Sequence, residues 1–144
     1  MIRAYQVEDI RAAEAAAMSA LPDGELMQRA ARGLAVALGD IPAGEVVLVL
    51  AGPGDNGGDA LYAATHLLGR GVRVDIAQLD EERVHRVALD AAVSSGARVV
   101  DGPGGHRWCV DGMFGIGALR LPGWARRRKA QIDQVLARLR ENRA

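Results

Sequence analysis

An apolar run cut off by glycines is the strongest constraint in this chain: "EVVLVLAG" passes directly into "PGDNGGDA", and a helical pattern follows. A segment apolar on both alternating faces reads as a strand buried on both sides, as in parallel sheets covered by helices. The residues downstream repeat the alternation. "GGDALYAATHLLGRG" reads as a helix, "VRVDIAQL" as a strand, "DEERVHRVALDAAVSSG" as a helix from Asp80 to Gly96, and "ARVVDG" and "RWCVDGMFG" as two further strands. Strands separated by helix-length segments require parallel pairing with right-handed crossovers, so the expected fold class is α/β, a doubly wound, mainly parallel, Rossmann-like sheet. Two helices precede the first strand: one over Val7 to Ala20, with Ile10, Ala13, Ala17 and Met18 at helical spacing, and one carrying Leu26, Met27, Ala30, Leu34 and Leu38 on one face.

Charge and composition narrow the function. Eighteen basic residues balance 18 acidic ones, which removes the broad positive field that nucleic acids and anionic membranes require. A small ligand is expected, with neither nucleic acid nor membrane as partner. Charged residues interrupt the alanine-rich start, so no signal peptide or spanning segment is read there, and the cytoplasm is the expected compartment. Cys109 is the only cysteine; it excludes an internal disulfide and is expected to be a small buried apolar residue. His66, His85 and His106 fall in three different elements with no partner at zinc-ligand spacing, and read as packing or solvated side chains.

The glycine loop carries the chemistry. Gly52, Gly54, Gly57 and Gly58 permit unusual φ values and close backbone approach, and the N–H groups opening the next helix favour an anion. A plain strand-to-helix turn is the alternative. The spacing Gly52-x-Gly54-x-x-Gly57 also satisfies the dinucleotide fingerprint. Its acidic partner is ambiguous, since Asp75 lies within the second strand and Asp80 just beyond it. A Walker A loop is excluded, because no Lys-Ser or Lys-Thr follows the glycines.

In its full wording, "AGPGDNGGDALYAATHLLGRG" together with "CVDGMFGIGA" resembles the NAD(P)H-hydrate epimerase family, the YjeF N-terminal domain. That family's loop typically reads G-x-G-N-N-G-G-D-G and its later strand D-x-x-F-G-x-G. The resemblance covers roughly residues 3–119 of a single domain spanning 1–144, with a divergent helical tail over 120–144. Asp55 stands where the family usually has Asn, and Ala60 where it usually has Gly. The resemblance implies interconversion of the R and S epimers of hydrated NADH and NADPH, feeding a partner NAD(P)H-hydrate dehydratase. It implies substrate contacts at Asp55, Asn56, Gly57, Gly58 and Asp59, and a second binding loop at Gly115, Ile116, Gly117, Ala118, Leu119, Arg120 and Leu121. Potassium would be held by Asn56 and Asp111. Asp59, early in the helix, is the candidate acid, against the plainer role of complementing the helix terminus.

One departure bears on activity. The family's later D-x-P-S-G motif is not found in this sequence, so the sheet is expected to be incomplete at its C-terminal side, with the strand around Val110 at or near an open edge. Marginal stability or self-association is expected to follow, which leaves a homo-oligomer open, and an inactive nucleotide-binding or interaction module is the alternative to the enzyme. "RRRK" at the start of the last helix opposes that helix's dipole.

Overall fold

The computed structural model describes residues 1–115 and 129–141. Helices α1 (Val7–Ala20) and α2 (Glu25–Ala37) precede β1 (Val46–Ala51), α3 (Asp55–Gly69), β2 (Arg73–Gln78), α4 (Arg86–Ser94), β3 (Arg98–Val100), β4 (Trp108–Gly112) and α5 (Lys129–Glu141). The strands form one parallel sheet in the order β3-β2-β1-β4. This is the expected doubly wound α/β arrangement: the chain moves outward from β1 through β2 to β3, then returns to the other side of β1.

The order puts β1 between β2 and β4, and its residues Val47 to Ala51 are fully buried. Alternate residues feed two cores. Val47, Val49 and Ala51 join Ile76, Val110 and the inner faces of α3 and α4, whereas Leu48 and Leu50 join Ala77, Leu79 and Met113, against which Leu136 of α5 packs. Each fully buried Leu or Val contributes about 1.5–3 kcal/mol, so β1 is the rigid base from which the glycine loop projects. Small residues set the helix spacing: Ala31 and Ala35 bring α2 close to α3. Arg70 then donates to the carbonyls of Ala35 (2.7 Å) and Leu38 (2.8 Å), satisfying acceptors that the end of α2 leaves open.

Three expectations change. The helix expected from Asp80 begins only at Arg86, because the Asp80 carboxylate accepts the backbone N–H groups of Glu82 and Arg83, both at 3.2 Å, and so stabilises a turn. Helix α3 begins at Asp55 rather than Gly57, since Gly54 at φ 85° turns the chain before it. Cys109 is exposed rather than buried, because β4 turns Val110 and Gly112 inward and Cys109 and Asp111 outward. Among the described residues β4 is an edge strand of the sheet, as expected of the strand around Val110. Trp108 packs against the first core. Trp124 and Arg126 to Arg128 lie outside the described residues.

Candidate functional site

The carboxyl ends of β1 and β4 lie side by side, and the glycine loop crosses from one to the other. Gly52 N–H donates to the Gly112 carbonyl at 3.0 Å. A Cβ on Gly52 would stand 2.2 Å from the Met113 carbonyl oxygen, so no other residue fits where the two chain segments touch. Gly112 is equally constrained, with the Ala60 Cβ 2.8 Å from where its own would be. The Asn56 amide N–H donates to the Phe114 carbonyl at 2.6 Å. The first turn of α3 is thereby fastened to the segment leaving β4.

Gly57 is required by packing before any ligand is considered, and Gly58 is closely packed. A Cβ on Gly57 would lie 2.1 Å from the Gly52 carbonyl oxygen; one on Gly58 would lie 3.0 Å from His85 Cδ2 and from the thioether of Met27. The loop folds onto itself, and α2 and the residue preceding α4 close behind it. No side chain caps α3, whose N-cap is Gly54, so the positive end of the helix is left open.

Asp59 is the fifth residue of α3, too far along to cap it. It is half-buried. Burial, and then the neighbouring carboxylates of Asp55 and Glu14, push its carboxyl from the ordinary 3.8 up to about 6, with His85 pulling the other way. A carboxyl that keeps its proton close to neutrality can act as a general acid. Glu14, from α1, and His85 are two residues of this cluster that sequence reasoning missed. Glu14 lies 45 positions upstream of Asp59 (59 − 14), and His85 was absorbed into a helix that begins after it.

Asn56 and Asp111 can supply oxygen to a cation. The Asn56 amide nitrogen must face the Phe114 carbonyl, since two oxygens would repel there, and its Oδ1 remains as a donor atom. Asp111 accepts the Met113 N–H at 3.0 Å through one oxygen and keeps the other. Oxygen-only donors fit a hard cation. No group of three His, Cys, Asp or Glu gathers among the described residues. Gly115 is exposed beyond β4; Ile116, Gly117, Ala118, Leu119, Arg120 and Leu121 lie outside the described residues.

This geometry coincides with a sequence family. The model for the YjeF-related protein N-terminus matches residues 23–144. The chain belongs to that family. Among YjeF-related relatives, an NAD(P)H-hydrate epimerase of Microbacterium testaceum is 47% identical over 152 residues, covering 94% of this chain and 55% of the relative. A bifunctional NAD(P)H-hydrate repair enzyme of Mycobacterium tuberculosis is 46% identical over 120 residues, covering 78% of this chain and 25% of the relative. The chain thus spans about half the length of the epimerases it matches and a quarter of the bifunctional enzyme. A yeast crystal structure superimposes with a TM-score of 0.65 at 24% identity, covering 84% of this chain and 58% of the yeast chain; it shares the fold. No helix among the described residues is long and apolar enough to cross a membrane.

Proposed function

We propose that this YjeF-related chain is an NAD(P)H-hydrate epimerase, acting on the R and S forms of hydrated NADH and NADPH. The observation that carries the reading is Asp59: a half-buried acid with its carboxyl at about 6, raised by burial and by Asp55 and Glu14 against the pull of His85, on the helix that follows the glycine loop at the carboxyl ends of β1 and β4. The names of the relatives supply the substrate class.

The chemistry starts from a hydroxyl beside the ring nitrogen of the hydrated nicotinamide. Protonated Asp59 donates to that hydroxyl, the carbon–oxygen bond breaks with both electrons going to oxygen, and water leaves. The nitrogen lone pair then forms an iminium ion, which the resulting carboxylate stabilises. Water adds to the opposite ring face and returns its proton to Asp59. With its carboxyl at about 6, about a tenth of Asp59 is protonated at pH 7, enough for an acid that is regenerated in each cycle. The open N-terminus of α3 suits the pyrophosphate. Asn56 and Asp111 would hold potassium, whose charge favours anionic groups of the substrate. A separate or fused dehydratase would consume the S form. The expected compartment remains the cytoplasm.

The test mixes the protein with both epimers of hydrated NADPH and an S-specific dehydratase. The R form should disappear well above its spontaneous rate, and Asp59→Asn should slow this by about 100-fold. If the R form vanishes only at the spontaneous rate while the dinucleotide still binds, the chain is a non-catalytic nucleotide-binding module.

A further inference from the structure

The dinucleotide fingerprint Gly52-x-Gly54-x-x-Gly57 calls for an acid about 20 residues further on, at the end of the second strand, to hold a ribose hydroxyl. The fold shows which residue stands there. Asp75 lies within β2, short of its end and with Ala77 on the sheet face opposite α3, and its oxygens are taken by Arg98 and His106. Asp80 spends one oxygen on the Glu82 and Arg83 N–H groups of its own turn. The residue that ends β2 is Gln78. It pairs in register with Ala51, the residue before Gly52, and the next N–H, of Leu79, bonds the Ala51 carbonyl at 3.0 Å. Gln78 is therefore about 4.8 Å, one strand spacing, from the start of the glycine loop. By alternation it shares the sheet face of Val74 and Ile76, whose core α3 covers. Its Oε1 is buried and has no hydrogen-bond partner among the described residues, although the residue as a whole is only half-buried.

We propose that Gln78 is a specificity-determining residue of the dinucleotide site, its carboxamide lying at the ribose of the adenosine half, where it accepts from a 2′-hydroxyl and, turned over, donates to a 2′-phosphate. The inference rests on reading the site as one for hydrated NADH and NADPH. With the reacting ring at Asp59 and the pyrophosphate on the glycine loop, the other half of the ligand extends over the end of β2. A carboxamide carries an acceptor at one end and donors at the other. No bond holds the buried Oε1, so nothing fixes which end faces outward, and rotation about χ3 is soft. A carboxylate at the same place would accept the hydroxyl but repel the phosphate, whereas a neutral amide tolerates both. Glu81, Glu82 and Arg83 follow in the exposed turn, where solvent screens their charges.

Calorimetric titration with ADP-ribose and with its 2′-phosphorylated counterpart tests this without any turnover, at a mildly alkaline pH where an introduced carboxylate is ionised. The unsubstituted protein should bind the two probes within about threefold of each other. Gln78→Glu should weaken the 2′-phosphorylated probe by more than about tenfold relative to the other. Gln78→Leu removes the hydrogen bond without adding charge and should weaken both by about fivefold. Four results overturn the proposal: an unchanged ratio in a folded Gln78→Glu protein, undiminished affinity in Gln78→Leu, a preference above about tenfold in the unsubstituted protein, or no binding of either probe. If Gln78→Glu does not give a cooperative melt, Gln78→Leu decides alone. If the R hydrate is consumed while the variants leave the affinities unchanged, the assignment of Gln78 falls and the epimerase reading stands. If the probes discriminate as expected but the R hydrate is not consumed, the epimerase reading falls and Gln78 keeps its place in a dinucleotide site.

Discussion

Asp59 and Asp75 sit near opposite ends of the same sheet, and their surroundings push them in opposite directions. Toward the N-terminal ends of the strands, Asp75 has only 8% of its side chain exposed. Burial alone would raise its carboxyl, but Arg98 grips both oxygens at 3.0 and 3.1 Å and His106 Nε2 bonds one of them at 2.8 Å, and together they hold it below the ordinary value. At the carboxyl ends, Asp59 is less buried, and its burial, with Asp55 and Glu14 adding to it rather than opposing it, pushes the carboxyl up. Burial raises both carboxyls, and the partners decide whether that rise survives: cations cancel it at Asp75 and acids add to it at Asp59. One end spends its charges on pinning β2 to β3 and the β3–β4 connection, and the other keeps an acid that its own fold disfavours in ionised form.

The largest break in this comparison comes from the backbone beneath Asp59. Gly57→Ala places a methyl group 2.1 Å from the carbonyl oxygen of Gly52, a residue whose own N–H is bonded to the Gly112 carbonyl of β4. The loop must move, at a cost of about 3 kcal/mol. Gly58→Ala meets only the ends of Met27 and His85 side chains at 3.0 Å, and the helix gains about 1 kcal/mol from losing a glycine; it should change stability by less than about 1 kcal/mol. Urea denaturation of the two variants measures the contrast. Equal midpoints would mean that the loop is looser than its contacts indicate.

At the other end, Asp75→Asn should destabilise the protein by about 2 kcal/mol at pH 7, since it removes a charged acceptor from a buried position. Arg98, 66% exposed, is resolvated, which keeps the figure below that of a fully buried pair. The sign with pH follows from the lowered carboxyl. Its contribution is present above the ordinary 3.8 and is lost as pH falls through the folded value. The gap between the unsubstituted protein and Asp75→Asn should therefore be widest near neutrality and close in strong acid. The proposed epimerase activity should be unaffected while the protein stays folded.

Most of the frame of both ends was legible in the sequence. The apolar run of β1 and the glycines after it required a buried strand and a loop at its carboxyl end, and Asp59 stood out within that loop. The clamp on Asp75 was not legible. Its partners lie 23 and 31 residues away, and only the β2–β3 register, which pairs Asp75 with Arg98, brings them together. In the stretch before α4, good helix formers such as Glu81, Glu82 and Arg83 outweighed the turn signal of Asp80, which hid the cap at His85. Cys109 was misread because a short apolar context cannot tell the inner from the outer face of an edge strand.

The smallest effect on stability is the most diagnostic, because its sign is opposite to that of Asp75→Asn. The folded carboxyl of Asp59, at about 6, lies above its ordinary 3.8, so folding disfavours the ionised form. Relative to acid conditions, stability is then lost as pH rises through about 6. An asparagine has no charge to disfavour, and Asp59→Asn should stabilise the protein at pH 7. A rise from 3.8 to about 6 would correspond to about 3 kcal/mol in full, but Asp59 is half-exposed and solvent screens its neighbours, which reduces the expected gain to about 1 kcal/mol. The gain should fade between pH 6 and pH 4 and vanish below the ordinary carboxylate range, where both side chains are neutral. Thermal melts of the two proteins at pH 4 and pH 7.5 measure it directly. A substitution that removes activity while raising the melting temperature at pH 7.5 alone marks an acid kept for chemistry against the interest of the fold; one that lowers the melting temperature at both pH values would place Asp59 with Asp75, among the carboxylates that hold the sheet together.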